Sequence, residues 1–514
     1  MNSFSQTIWP IPQMYPVRLE TRERFAALRD LLTRAHYADV QICRRLGLET
    51  IYDFRSLRGG RPAVEPSDAL DVLVRLFMDG EQVDRDVVHA RLPGADIETL
   101  EAFGLLATGA VESEKYQATV LLYPTGSFYI VSDRMPEPDD SQPADMVYSA
   151  ITESTRLFLA ALPSAPCEHC LELCAGTGIA ALGASRQAEH AWAVDISARA
   201  THFARFNGLL NAVDNFTAVR GDLFEAVPGQ TFDRICAHPP YMPALEQECL
   251  YRDGGEDGEQ ITRRIVAGLP AHLKEGGRFY GYCLASDRRN APLEQRLRQM
   301  LGGSAAEFDV LVLALQGYRP EQYYAGLLAT KDVTAAGAEA HLAVLERLGV
   351  RQLISCSIVI QRTRGPRRVF TVRRQSGEGT GHREIDWLLH RETAAVQCGA
   401  AWLLDARPMA SPHARLHVAH RLGENGWTPT ECSLQIAKPF LLTAKCPAWA
   451  AELVVRCDGR TTVRNHLRAL VQEGRIPGQT AEEGFLALVR ALLAGGFIYL
   501  EGLEPPSAAR AGWS

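Results

Sequence analysis

Between residues 170 and 360, short apolar runs alternate with stretches of helical character. This rhythm limits the chain to a mainly parallel sheet covered by helices on both faces. The runs at 171–173, 192–194, 216–220, 232–237, 279–284, 310–314 and 353–360 predict strands. The stretches at 179–186, 197–210, 261–273 and 335–348 predict helices. Sheets of this kind bind ligands at the carboxyl ends of their strands, so the residues just past each run are the first candidates for chemistry.

The first such place is Glu172-Leu173-Cys174-Ala175-Gly176-Thr177-Gly178, on a strand-to-turn-to-helix path. Glycines in that turn let the backbone approach a ligand closely. Asp195 ends the next strand, where a carboxylate can accept two hydrogen bonds from a ribose diol. Asp222 follows the third strand and can accept from an adenine amino group. A dinucleotide fold would want another glycine three residues after Gly178, where this chain has Ala181.

The second place follows the strand at 232–237: His238-Pro239-Pro240-Tyr241. Two successive prolines lack N–H donors and have nearly fixed φ. They make a stiff corner whose carbonyls can point into a cleft, and Tyr241 adds a flat face for stacking. A neutral His238 can accept a hydrogen bond from an N–H. It can also act as a general base near neutral pH, so it either orients or deprotonates a nucleophile. Further on, Tyr251-Arg252-Asp253-Gly254-Gly255-Glu256-Asp257-Gly258 leads into a helix. Glu256 and Asp257 suit the positive start of that helix. The other reading is that Tyr251, Asp253 and Glu256 hold a cationic or amide substrate.

In that order and spacing these residues resemble the class I methyltransferases. The first turn of that family carries acidic-x-Gly-x-Gly-x-Gly, and this chain offers Glu172-x-Cys174-x-Gly176-x-Gly178, with Cys174 in the first glycine slot. The resemblance implies S-adenosylmethionine as cofactor, bound by Glu172, Cys174, Gly176, Gly178, Asp195 and Asp222. Within it Glu172 lies near the methionyl amino group, Asp195 near the ribose and Asp222 near the adenine. The tetrad resembles the Asn/Asp/Ser-Pro-Pro-Tyr motif of enzymes that methylate planar nitrogens, and implies catalytic roles for His238, Pro239 and Tyr241. There the first side chain and the first proline carbonyl accept hydrogen bonds from the target amino group. The 251–258 segment resembles the Asp-Gly-Gly-x-Asp-Gly of the release-factor glutamine N5-methyltransferases. In the family, the helix begun by Tyr148, Thr152, Ser154 and Thr155 lies over the donor.

The expected architecture is therefore α/β, with a Rossmann-like seven-stranded methyltransferase core over 111–375. Mainly helical, winged-helix-like regions flank it at 1–110 and 376–514. Breaks are expected at Gly59, Gly60 and Pro62, a loop over 136–143, and a wing strand at 497–500. The expected activity is N-methylation of a protein side chain or small metabolite. An RNA base methyltransferase is the alternative, and an O-methyltransferase with His238 as base the second.

The remaining features narrow the partners. A net charge of −7 gives no support for a polyanion partner. The basic run Arg362, Arg364, Arg367, Arg368, Arg373 and Arg374 can hold phosphate, although such runs are usually solvated. Cys167, Cys170 and Cys174 have metal-like spacing, but Cys174 sits in the donor turn, so no metal is expected. No apolar run approaches the roughly 20 residues needed to span a bilayer, and residues 1–16 carry no leader pattern, so a cytoplasmic protein with no membrane partner is expected.

Overall fold

The computed structural model describes residues 15–57, 65–108, 114–134, 143–330, 333–377, 379–397, 400–423, 426–476 and 481–504. The expected breaks at Gly59, Gly60 and Pro62, and nearly all of the expected 136–143 loop, lie outside them.

Among the described residues the central sheet has eleven strands. They are β1 (Cys167–Leu173), β2 (Ala188–Asp195), β3 (Phe216–Arg220), β4 (Phe232–Ala237), β5 (Leu273–Arg288), β6 (Phe308–Tyr318), β7 (Val350–Arg362), β8 (Thr371–Ser376), β9 (Ala414–Gly423), β10 (Gly426–Ile436) and β11 (Phe440–Cys446). Their spatial order is β9-β10-β11-β8-β6-β7-β5-β4-β1-β2-β3. β3, β2, β1, β4 and β5 run parallel, and β7 is antiparallel to both β5 and β6. Each predicted run falls inside one of β1 to β7. Strands buried on both faces read as continuous apolar sequence, and residues 308–314 of β6 are buried without interruption.

The chain steps from β1 to β2 to β3 in one direction, and then from β4 to β5 in the other. The reversal opens a crevice between the carboxyl ends of β1 and β4, where ligands bind in such sheets. Six helices matter to that crevice: α1 (Glu153–Ala160), α2 (Ile179–Ala184), α3 (Ala198–Leu210), α4 (Gln260–His272), α5 (Pro320–Ala329) and α6 (Ala335–Arg347). The pair α5 and α6 connects β6 to β7. Tyr324 and Leu345 from this pair join Leu284 and Leu353 in an apolar cluster against which Tyr241 packs.

The front region is helical as expected, with short strands at Val83–Asp84, Leu106–Thr108 and Lys115–Ala118. The hairpin Leu121–Thr125 and Phe128–Ser132 docks on α3 through two asparagines. Asn207 is fully buried; it accepts from the Val131 N–H at 2.8 Å and donates to the Val131 and Thr177 carbonyls at 3.1 and 3.0 Å. Asn211 treats Tyr129 likewise, at 2.8 and 2.7 Å.

Residues 376–514 are expected to be mainly helical, and helices at Ala448–Arg456, Val463–Gln472 and Ala481–Gly495 are present. The same region also supplies β9, β10 and β11. Their period-two pattern escapes a sequence reading because little of it is buried: every residue of β9 after Ala414 is exposed. The anticipated wing is the short strand Ile498–Tyr499, paired with Met409–Ala410. Gln375 and Ser376 of β8 pair with Leu441 and Phe440 of β11, so the sheet runs through residue 375 without a break.

Candidate active site

Leu173, the last residue of β1, is the register partner of Ala237, the last residue of β4. The glycine turn that starts at Cys174 and the corner that starts at His238 therefore leave the sheet side by side. The sequence placed them 64 residues apart; the parallel pairing of β1 and β4 brings them together.

On the donor side the turn is left-handed. Gly176 has φ +52°, and a Cβ placed there would meet no atom within 4 Å, so one face of the turn stands open to a ligand. Cys174 adopts φ +55°, the conformation that the first glycine slot demands, at a cost of about 1–2 kcal/mol for an L residue. Burial pushes its thiol well above the usual range.

Asp195 takes the Gly176 N–H on Oδ2 and the Ser197 N–H on Oδ1, both at 2.9 Å. Each oxygen keeps a lone pair for a further donor. Burial raises its pKa, and nearby Asp145 adds to the shift. Asp222 follows β3 and pairs with Arg264 of α4 at 2.8 Å. Its other oxygen stays available.

Glu172 is placed differently from its expected role beside an amino group. It is 3 % exposed, and its two oxygens accept from the backbone N–H groups of Ala180 and Ala181 at 3.3 and 2.7 Å. The carboxyl thus caps α2, whose N-cap residue Gly178 has no side chain to do so. Burial pushes Glu172 up to about 8.

On the acceptor side, the His238 ring lies among three aromatic side chains. Tyr282 meets it edge-on with centroids 5.1 Å apart, Phe158 is tilted at 5.5 Å, and Tyr241 is nearly parallel at 5.7 Å. Burial lowers its pKa to about 4, so the imidazole is neutral at physiological pH. The Tyr282 hydroxyl is tied to Ser355 Oγ at 2.7 Å, which fixes that ring.

The 251–258 segment is the buttress of this corner. Met242 N–H donates to the Arg252 carbonyl at 2.9 Å, Gly254 N–H to the Met242 carbonyl at 2.8 Å, and Ala244 N–H to the Gly255 carbonyl at 2.9 Å. A Cβ on Gly258 would lie 2.4 Å from the Tyr241 carbonyl, so only glycine permits the contact. The two sequence segments therefore work as one unit.

Of the expected substrate residues, Asp253 is turned inward at 3 % exposure. It accepts from the Glu248 and Cys249 N–H groups at 2.8 Å each and from Arg252 at 2.7 Å. Glu256 is paired with Arg347 of α6. Tyr251 stacks on Tyr148, with centroids 5.0 Å apart and planes 12° apart. Asp257 accepts from the Glu259 N–H just ahead of α4 at 3.0 Å and pairs with Arg263 and Arg288.

Several residues escaped the sequence reading. Asp145, Phe158, Arg264, Tyr282, Ser355 and Tyr323, whose hydroxyl donates to Met242 Sδ at 3.0 Å, reach the site from separate elements. No local pattern marks them. Buried Glu259 holds Arg296 and accepts from Ser286 N–H and Oγ at 2.8 Å each, which anchors the start of α4 against β5.

The basic run is largely neutralised. Arg362 pairs with Glu307, Arg367 with Asp309, Arg373 with Asp287 and Arg374 with Glu392. Among the described residues no group of three or more His, Cys, Asp or Glu is placed to hold a metal ion, and no helix is long and apolar enough to cross a membrane.

The donor residues fit an adenosyl cofactor: an open glycine face, two carboxylates with acceptor capacity at successive strand ends, and a crevice at the reversal point. Residues 142–306 match the methyltransferase small domain family. They form a class I S-adenosylmethionine-dependent methyltransferase domain.

Three curated relatives resemble this methyltransferase domain. A putative protein N5-glutamine methyltransferase of Methanocaldococcus jannaschii is 36 % identical over 132 residues, which is 24 % of this chain and 66 % of that protein. The ribosomal protein uL3 glutamine methyltransferase of Bordetella pertussis is 37 % identical over 123 residues, 21 % of this chain and 41 % of its own length. The release factor glutamine methyltransferase of Gloeobacter violaceus is 34 % identical over 124 residues, 21 % of this chain and 42 % of its own. Each likeness thus spans less than two thirds of the relative and about a quarter or less of this chain.

Proposed function

We propose that this chain transfers a methyl group from S-adenosylmethionine to a planar nitrogen of a protein side chain, an amide being the favoured class. The observation that carries the reading is the neutral His238 imidazole, boxed by Phe158, Tyr241 and Tyr282, one strand away from the donor turn.

When bound, the cofactor supplies an electrophilic methyl group on a sulfonium. Asp195 and Asp222 would accept hydrogen bonds from its hydroxyl and amino groups, and the bare face of Gly176 would admit its bulk. His238 accepts one N–H of the target through a ring nitrogen, and the Pro239 carbonyl accepts the other. With both N–H bonds held in the acceptor plane, the nitrogen lone pair would face the methyl group. The new N–C bond forms as the sulfonium S–C bond breaks, the sulfur keeps that electron pair as a neutral thioether, and the methylated nitrogen, made strongly acidic, releases one proton to solvent. Tyr241 covers the planar group. Rate then comes mainly from placement, an effect that contributes up to roughly 7–11 kcal/mol in well-oriented reactions.

An imidazole lowered to about 4 is a weak base, which counts against the O-methyltransferase alternative with His238 removing a proton. Pairing of the basic run with acids removes the main support for an RNA acceptor. The relatives named for glutamine methylation favour a protein amide.

The test is incubation with methyl-labelled donor and separated protein, RNA and small-molecule fractions. Label is expected in protein, as an alkali-stable methylated amide. Label confined to RNA or to small molecules would overturn the proposal.

A further inference from the structure

The two ends of the central sheet are finished differently. β3, at one end, has five residues. β9, at the other, has ten, and among the described residues it pairs only with β10. An edge strand presents a row of unpaired N–H and C=O groups. Natural proteins blunt such edges with short strands, lysine, proline or bulges. β9 is long and contains neither lysine nor proline. The single register irregularity of this pair puts the extra residue, Thr430, in β10 and leaves the outer edge regular.

The side chains of β9 fall on two faces, as the strand period requires. Leu416, Val418 and Leu422 share one face at 40 %, 39 % and 62 % exposure, with exposed His420 between the last two, and Trp427, the register partner of Leu422, is 68 % exposed. An apolar stripe of this kind marks a contact surface. Arg415, His417 and Arg421 share the opposite face and are all exposed. Neither arginine makes an ion pair among the described residues.

We propose that β9 is a docking edge for an extended segment of a partner protein whose side chains alternate between apolar and acidic. The added strand satisfies the open main-chain groups, the mode known as β-augmentation. Its apolar side chains lie beside Leu416, Val418 and Leu422, and its carboxylates lie beside Arg415 and Arg421 as cross-strand opposite charges. A nucleic acid strand would leave the apolar stripe and the main-chain row unused, so a peptide matches more of the surface. The inference is independent of which nitrogen is methylated.

The test uses the full chain and fluorescein-labelled peptides as long as β9, with Glu alternating with Val and Thr, read by anisotropy. The acidic peptide is expected to bind about tenfold more tightly than its twin with Lys in place of Glu, a ratio typical of two rim charge pairs. The double variant Arg415→Glu, Arg421→Glu changes only exposed side chains, and its fold is checked by circular dichroism. It is expected to reverse the preference. N-methylation of one alternate set of peptide amides should abolish binding, while methylation of the other set leaves it intact. Equal binding of the acidic and basic peptides, indifference to N-methylation, or tighter binding of an oligouridylate would each overturn the proposal. So would sedimentation showing a dimer of this chain sealed through β9.

Discussion

The proposed donor side of the cleft comes from one short stretch, 172–178, with Asp195 and Asp222 added by the next two strand ends. The acceptor side is assembled from α1, β4, the 241–258 loops, β5, β7 and the inserted pair α5 and α6. A site held by backbone geometry depends on few side chains, each strongly. A site held by packing spreads its dependence over many. Hence donor binding and turnover should separate cleanly under mutation, and four measurements test how cleanly.

The largest effect is expected from Asp195→Ala. It removes the acceptor for the Gly176 and Ser197 N–H groups and the one proposed for the ribose, so affinity for the demethylated donor product should fall about a hundredfold by calorimetry. Unchanged affinity would break the comparison on the donor side. Next, His238→Ala should lower kcat by roughly 10²-fold with donor affinity unchanged, while His238→Asn stays within about tenfold of the native enzyme. The native rate should be level from neutral pH downward and fall as pH drops through about 4, where the imidazole gains its proton. A limb near the free-histidine value would instead restore the base reading.

A smaller effect concerns Glu172, which burial pushes up to about 8 from its ordinary 4.5. Between those values the folded protein holds a proton that the unfolded chain has released. Stability from this group is complete below 4.5 and is lost as pH rises through about 8. Thermal melts should show that decline in the native chain, and a flatter profile in Glu172→Gln. The smallest effect is expected from Tyr282→Phe, which loses one hydrogen bond to Ser355 but keeps the ring beside His238. Turnover should drop by about threefold or less, in line with a typical net hydrogen bond. A loss as large as that of His238→Ala would show that the acceptor side also hangs on single groups.

The seven core strands were legible because buried parallel strands are written as continuous apolar runs. The glycine turn and the acids at the next two strand ends were legible because turn, spacing and charge all sit in local sequence. Glu172 shows the limit of that reading: its carboxyl, expected beside an amino group, is engaged by the start of α2. Asp253 likewise looked like a substrate acid, yet it is turned inward onto the Glu248 and Cys249 N–H groups. Phe158, Tyr282 and Ser355 gave no signal, since aromatic and hydroxyl residues in strands and helices occur throughout the chain. The strands β9 to β11 were missed because their apolar residues are interspersed with exposed polar ones and only a few, Leu434, Ile436 and Phe440, are buried.

By itself the sequence determined an alternating α/β core, a glycine turn followed by acids at successive strand ends, and a rigid double-proline corner. Each depends on residues close together in the chain, where backbone preference and hydrophobic period act directly. Tertiary structure alone decided that the turn and the corner meet, because register between β1 and β4 is a non-local pairing. It also decided that His238 is neutral, because burial among side chains from distant segments is what lowers its proton affinity.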